Sequence, residues 1–536
     1  MFKNHYYIYV FILLFLVDGI RISFAQNTKD CIPDPKIGLV LSGGGARGFA
    51  HIGVIKVLEE EGIDVDVVGG TSMGSIVGGL YAMGYSIYDI EELALTQDWD
   101  YALSDHIKRR DLGFYEKLEE EMYILSLAIK GRKLTIPPGL RYGQNASHFL
   151  SRLTTPAFQV QEFKNLEKPF VCIATDLLSG SAIALDTGNL AVAIRASISV
   201  PSVFAPVKYG PYYLVDGGVI NNLPATEVKN LGADLLIGVD IQTPLFEQEE
   251  IKNLVHVMSQ SIFLNAEDSY NKNVKLIDLM IKPKIDPFTA TDFDRADSLI
   301  LRGEQMARDM LPEIRAFMKE NNIRAGKVRG RQNAFPGMDM LYVDHVILRG
   351  NKKVRKEYIL DNLDIQSGDI ISFSELDERI DRLFGSKLFH TVSYELGYSE
   401  IGETIITIDL DEASKFDVNI GAHYNEYSKA ALLLNLTGRN FGAGKGRLAM
   451  DLVLGRVPRL RIAYIVDNGM RLGYGSNLVV FQQYGFLYDG NGKRAISYNV
   501  DILKMNGFAL MTYKNSIYII YIILINLISK IHTCIN

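Results

Sequence analysis

Ile37-Gly38-Leu39-Val40-Leu41-Ser42-Gly43-Gly44-Gly45-Ala46-Arg47-Gly48, followed one apolar stretch later by Gly70-Thr71-Ser72-Met73-Gly74, decides how the first half of this chain is read. An apolar strand runs into a glycine-rich loop, and a second one ends in a match to Gly-x-Ser-x-Gly. In that motif a tight strand-to-helix turn holds a serine in strained backbone geometry with its hydroxyl exposed. Gly70 and Gly74 flank the serine because a Cβ would crowd the turn. Ser72 is therefore the candidate nucleophile. The glycine loop supplies a cluster of backbone N–H groups at a helix N-terminus, able to hold the negative oxygen of a tetrahedral intermediate. Together the two motifs describe acyl transfer.

Gly43-x-Gly45-x-x-Gly48 also fits the dinucleotide fingerprint, which requires an acid at the end of the second strand to meet a ribose hydroxyl. Asp64 and Asp66 lie at the beginning of that strand, and its end holds Gly69-Gly70-Thr71-Ser72. The coincidence of strand end and serine elbow favours hydrolase over dehydrogenase. Strands are expected at Ile37 to Leu41, Val65 to Val68, Phe170 to Ala174, Tyr212 to Val215 and Leu235 to Asp240. Helices are expected at Ala46 to Glu61, Ser75 to Met83, Asn189 to Ala196 and, closing the unit, Ala296 to Glu320. That alternation predicts an α/β sheet flanked by helices.

Ser72 needs a base. His256 sits in a mixed polar helix and His345 lies beyond a linker, while His51, one turn into the first helix, reads as packing against the elbow. Asp216 is better placed, since Leu214-Val215-Asp216-Gly217-Gly218 ends an apolar strand where Gly217 and Gly218 permit a turn into the crevice at the strand carboxyl ends. A Ser72/Asp216 dyad follows, with an Asx-turn role for Asp216 as the alternative.

The 536 residues, 48% hydrophobic and 22% charged, are more than one ordinary core. A net charge of −7 argues against a nucleic-acid partner. Residues 1–25 read as a signal peptide: Lys3 precedes an apolar run from Ile8 to Val17, and Ser23-Phe24-Ala25 precedes Gln26. Three cysteines, with Cys172 in an apolar strand, predict no structural disulfide.

Residues 321–339 read as a linker. Beyond it, Tyr342 to Leu348 is a strand, Glu357 to Asn362 and Phe373 to Leu383 are helical, and Thr391 to Leu396 and Ile405 to Leu410 are strands. After Lys415 the period becomes two. Phe416, Val418, Ile420, Ala422 and Tyr424 alternate with Asp417, Asn419, Gly421 and His423, and the same rule holds through Leu448/Met450/Leu452/Leu454, Leu460/Ile462/Tyr464/Val466 and Ile496/Tyr498/Val500/Ile502. Apolar-out, polar-in segments are the pattern of a membrane barrel, and a soluble antiparallel sheet alternates in the same way.

Three blocks in order, Gly43 to Gly48, Gly70 to Gly74 and Asp216 to Gly218, resemble the patatin-like phospholipases, and Ala196-Ser197-Ile198-Ser199-Val200-Pro201 resembles that family's fourth block. The resemblance covers residues 36–320. It implies a Ser72/Asp216 dyad, an oxyanion hole from Gly43, Gly44 and Gly45 assisted by Arg47, and metal-free, cofactor-free hydrolysis of fatty-acyl esters, with membrane phospholipids as substrate. Residues 340–413 resemble a POTRA module and residues 415–536 a surface-antigen outer-membrane barrel, an order found in patatin-type autotransporters. The implied architecture is an α/β hydrolase domain, an α+β POTRA module and a truncated antiparallel barrel. About six strands are readable before the Ile-rich, non-alternating run Ile517 to Ile523, fewer than the roughly eight with which single-chain barrels begin.

The expected function is thus an exported phospholipase A or lysophospholipase tethered to an outer-membrane segment. The hydrolase would be periplasmic, surface-exposed or secreted, and a homo-oligomer is compatible with the sequence. The rival reading makes the POTRA and barrel parts the working unit, handling outer-membrane proteins with the hydrolase domain as passenger.

Overall fold

The structure is a computed structural model that describes residues 34–113, 116–117, 122–242, 245, 247–326, 340–426, 429–441, 446–468, 471–492, 494–513 and 516–535. The signal segment and most of the linker lie outside the described residues.

The first unit is built on strands β1 (Ile37–Leu41), β2 (Val67–Thr71), β6 (Phe170–Asp176), β7 (Ser181–Leu185), β9 (Val207–Tyr209), β10 (Tyr212–Asp216), β11 (Leu235–Val239) and β12 (Leu279–Ile281). They form one sheet in the order β12-β11-β1-β2-β6-β10-β9, with β7 also on β6. The first five strands of that order are parallel. The central strands are buried along their whole length, as a parallel sheet covered on both faces requires. Helices Ala50–Glu60, Met73–Ala82 and Leu190–Ser197 pack on one side with Phe49, Ile52, Leu80, Phe163 and Phe170 as large fully buried anchors.

The expected closing helix is two, Ala296–Asp309 and Leu311–Glu320, because Pro312 cannot continue the first and suits the first turn of the second. An excursion between the second and third sheet strands, not foreseen from the sequence, holds β3 (Leu125–Lys130), β4 (Lys133–Thr135), β5 (Gly139–Arg141) and the helix Gln144–Thr154.

The second unit contains β13 (Met340–Tyr342), β14 (His345–Arg349), β15 (Ile370–Ser372), β16 (Phe389–Tyr398) and β17 (Thr404–Glu412), with helices Lys356–Leu363 and Phe373–Gly385. Its core accepts Ile107 and Leu112 from the first unit. The two units are further joined by reciprocal hydrogen bonds between the Gln144 amide and the backbone of Val392, both 2.7 Å. His148 Nε2 adds an ion pair with Asp377 at 2.6 Å.

The third unit is a meander of seven antiparallel strands: β18 (Phe416–Asn425), β19 (Lys429–Phe441), β20 (Gly446–Gly455), β21 (Arg459–Asn468), β22 (Arg471–Tyr488), β23 (Arg494–Tyr513) and β24 (Ser516–Ile535). The Ile-rich, non-alternating run Ile517 to Ile523 is part of the strand β24, which pairs with β23. The order β24 to β18 continues into β3 and β4, and among the described residues the sheet does not close into a barrel. One face carries a polar row in register, Asn419, Asn435, Asp451 and Arg461, linked by side-chain hydrogen bonds. The opposite face exposes Met450, Leu452, Leu454 and Ile462.

Candidate active site

The sheet register brings Ser72 and Asp216 together. Cys172 to Asp176 of β6 pair with β7 on one edge. The other edge is shared end to end: β2 occupies it up to Thr71 opposite Ile173, and β10 occupies it from Leu214 opposite Asp176 down to Asp216 opposite Ala174. Two strands running in opposite directions therefore meet carboxyl end to carboxyl end, and each turns out of the sheet at that junction. Ser72 is the first residue beyond one end and Asp216 the last residue of the other.

Ser72 has φ 53° and ψ −124°, a region that L-residues reach only when the surroundings impose it. The imposing contacts are visible. The Ser72 amide donates to Ser197 Oγ at 2.9 Å, and its carbonyl accepts from Ser75 Oγ at 2.6 Å. A Cβ on Gly70 would sit 2.2 Å from the Gly74 carbonyl oxygen, and one on Gly74 would sit 2.4 Å from that of Leu41. Both flanking glycines are thus required by backbone against backbone.

Asp216 is buried. Its Oδ1 accepts from the Gly218 amide at 2.7 Å, and its own amide donates to the Ser199 carbonyl at 2.9 Å. Burial pushes its pKa up to about 6, while the Ser72 hydroxyl and the Gly218 N–H pull the other way. Oδ2 closes no hydrogen bond among the described residues. Gly217 fits because a Cβ would meet the Ile173 carbonyl oxygen at 2.3 Å, and one on Gly218 would press on Asn222 Oδ1 at 2.8 Å.

The glycine loop lies over the same junction, since a Cβ on Gly43 would fall 2.8 Å from Ser72 Cβ. Its three glycines are not equivalent. The Gly43 amide is already engaged by Asn222, through Oδ1 at 3.1 Å and the carbonyl at 3.4 Å, and Asn222 Nδ2 donates back to the Gly43 carbonyl at 3.2 Å. Among the described residues the amides of Gly44 and Gly45 have no acceptor, as expected where a helical turn begins. Of the three loop glycines expected at the oxyanion, Gly43 is the one whose N–H is engaged by Asn222.

Gly45 takes φ +60°, with the Ala290 carbonyl 2.3 Å from where a Cβ would be. Arg47 Nε donates to the Phe288 carbonyl at 2.8 Å, so this side chain fastens the loop to the segment 286–292. Burial lowers its pKa against the opposing charges of Asp286 and Asp292.

His51 is fully buried, its Nε2 donates to the Ser42 carbonyl at 2.8 Å, and burial holds its pKa down to about 4. It is a neutral strut under the glycine loop. His256, in the first turn of the helix Leu254–Phe263, bonds the Glu250 carbonyl, and His345 pairs with Glu403 in the second unit.

Sequence reasoning gave no role to Ser197, Ser199, Arg195 or Asn222. Ser197 and Ser199 bracket the junction from one segment, holding the amides of Ser72 and Asp216 respectively. Arg195, buried and with its pKa pushed down to about 10 by burial, anchors that segment through Ser199 Oγ at 2.6 Å and the Tyr142 carbonyl at 3.0 Å. The signal for the bracket was present in the Ala196 to Pro201 block.

Comparison with known proteins adds three matches to family models. Residues 39–229 match the patatin-like phospholipase family, residues 341–413 the surface antigen variable number repeat, or POTRA, and residues 404–522 the OMP85 superfamily. The chain thus carries a patatin-like domain, a POTRA module and an OMP85-type sheet, an architecture associated with the outer membrane. A lysophospholipase NTE1 of Debaryomyces hansenii is 26% identical over 336 residues, 56% of this chain and 20% of that protein. An NTE family protein of Mycobacterium bovis is 32% identical over 207 residues, 39% of this chain and 49% of its own. VipD from Legionella pneumophila superposes on 52% of this chain and 67% of its own at 18% identity, with a TM-score of 0.31. The chain spans about a fifth of the length of the yeast relative.

Proposed function

We propose that the chain is an exported, outer-membrane-tethered hydrolase that cleaves fatty-acyl esters of phospholipids or lysophospholipids through Ser72 and Asp216. The observation that carries this reading is the end-to-end meeting of β2 and β10 on β6, which sets a strained serine against a buried carboxylate beneath amides that have no acceptor among the described residues.

Asp216, with a pKa near 6, is largely ionised at neutral pH yet basic enough to take a proton. Ser72 Oγ attacks the ester carbonyl carbon as its proton passes to Asp216. The carbonyl oxygen becomes an oxyanion, held by the amides of Gly44 and Gly45, which are already oriented and need no rearrangement. Collapse breaks the bond to the alcohol, which leaves with the proton from Asp216. The acyl-serine is then opened by water, with Asp216 again acting as base and then as acid, returning Ser72 to its starting state. Gly43, His51 and Arg47 act on the shape of the loop, and Gly70, Gly74, Gly217 and Gly218 on the backbone of the two turns.

The test is a fluorophosphonate probe on the full chain, followed by a panel of phospholipids and lysophospholipids. Labelling that disappears in Ser72→Ala, together with acyl release from the panel, is expected. Equal labelling of the two proteins would refute the assignment.

A further inference from the structure

The excursion β3 to β5 belongs by sequence to the hydrolase unit, yet it is hydrogen-bonded into the third unit. Strand β3 pairs antiparallel with β18, with Phe416 opposite Ile129, Val418 opposite Leu127 and Ile420 opposite Leu125. Residues directly opposite in a sheet share a face. Leu125, Leu127 and Ile129 therefore lie on the face that exposes the apolar row. The row can be followed in unbroken register from Leu127 through Val418, Leu436, Met450, Ile462 and Leu478 to Met505. Strand β4 extends it, since Leu134 lies opposite Ile129. Ile136, two residues on, is 85% exposed, and Ile124 is 79% exposed.

The turn between β3 and β4 has different chemistry. Lys130, Arg132 and Lys133 are all exposed there, level with Phe416 and so at the POTRA end of the sheet. Pro137-Pro138 then ends any further pairing on the outer edge of β4. Apolar side chains in the plane of a membrane sheet, bounded by a cationic turn, fit acyl chains and anionic headgroups respectively.

The hairpin also connects to the site. Immediately after it, β5 pairs in parallel with β8 (Ser202–Phe204), with Gly139 opposite Ser202. Strand β8 follows the Ser197 to Pro201 bracket that holds the amides of Ser72 and Asp216.

Resting on the hydrolase reading above, the geometry points to residues 124–140 as a membrane-docking hairpin. It adds two strands to the OMP85-type sheet at its POTRA end and seats the hydrolase unit on an anionic phospholipid leaflet, from which substrate reaches Ser72. The occupant of this surface is lipid, because the hairpin continues, residue for residue, the apolar face of an OMP85-type sheet.

The full chain, carrying Ser72→Ala, Cys31→Ser and Cys534→Ser, is labelled with an environment-sensitive fluorophore at Ile136→Cys or, as a control, at Ile401→Cys in the exposed turn of the POTRA module. Both proteins are reconstituted into phosphatidylcholine/phosphatidylglycerol vesicles containing doxyl-labelled lipid. Quenching several-fold stronger at 136 than at 401 is expected, and equal quenching would overturn the proposal. Concentration-dependent self-quenching at 136 that ignores the doxyl lipid would also overturn it, assigning the edge to a second copy of the chain. This readout stands even if no esterase activity is found.

With Ser72 intact, the double variant Leu134→Asp/Ile136→Asp should lower turnover of vesicle phospholipid by about tenfold while leaving the rate of fluorophosphonate labelling unchanged. Unchanged vesicle turnover, or an equal fall in both, would count against a docking role.

Discussion

The junction at β6 and the C-terminal sheet are built on opposite plans. At the junction single atoms decide: a methyl group on Gly43, Gly70, Gly74 or Gly217 would land within 3 Å of a neighbour, and the Ser197 hydroxyl accepts from the amide of Ser72. In the sheet, rows decide. The apolar face survives any one conservative change because six other strands repeat it, and the polar face is secured by a run of side chains in register. Strained, close-packed sites fail at one position; repeated surfaces fail only when the pattern is lost.

The largest expected effect is at the junction. Ser72→Ala should lower ester turnover by about a thousandfold or more with the fold retained, because only a hydroxyl is removed. Circular dichroism and fluorophosphonate labelling check both halves of that statement. Asp216→Asn should cost about 10² to 10⁴ in kcat, since the amide keeps the Gly218 contact but cannot take a proton.

The same Asp216 variant should be more stable than the native chain. The carboxyl pKa is raised in the fold, so the native state keeps its proton to higher pH than the unfolded chain. Stability is greatest below the unfolded value and falls as pH rises through about 6. The gain, on the order of 2 to 3 kcal/mol at pH 8, should vanish near pH 4. Denaturation at the two pH values measures it, and wild-type kcat/KM should climb through pH 6 as the base ionises.

Asn222→Ala should reduce kcat by about ten- to a hundredfold by releasing the Gly43 amide and carbonyl that Asn222 holds. A rise in KM alone would show that it binds substrate instead.

His148 tests the seam between the units. Its pKa is raised to about 9 despite burial, by hydrogen bonds to Asp377 and Asp381. Its contribution is complete below the ordinary histidine value and is lost as pH rises through about 9. Protection factors of the amides in the helix Gln144–Thr154 should therefore fall between pH 7 and pH 9.5, and His148→Gln should remove that fall.

At the far end of the scale, Met450→Leu on the apolar face should shift stability by less than about 0.5 kcal/mol. A larger change would mean that the sheet, too, is held by single contacts.

The same contrast explains what could be read from the sequence. Glycines forced by backbone contact announce themselves, so the elbow, the loop and the Asp216 turn were legible. Asn222 was not, because its work is done across a distance of many residues by an unremarkable side-chain type. The β3–β4 hairpin did carry a local signal, a Gly131-Arg132 turn between two short runs. Its pairing with β18 carried none, since nothing in either strand specifies so distant a partner. Strand β24 was hidden for another reason: its continuous isoleucines lack the alternation that marked the other strands.

The union of β3 with β18 also bears on how the chain is made. Leu125 to Lys130 leaves the ribosome long before its partner exists, so a pairing of such high contact order belongs among the last events of folding. Until then an apolar strand with a free edge stays unpaired, a hazard of the kind chaperones attend to. The hydrolase unit should thus complete its structure only as the terminal sheet does, which ties enzyme maturation to membrane arrival and delays the finished site until its surroundings are in place.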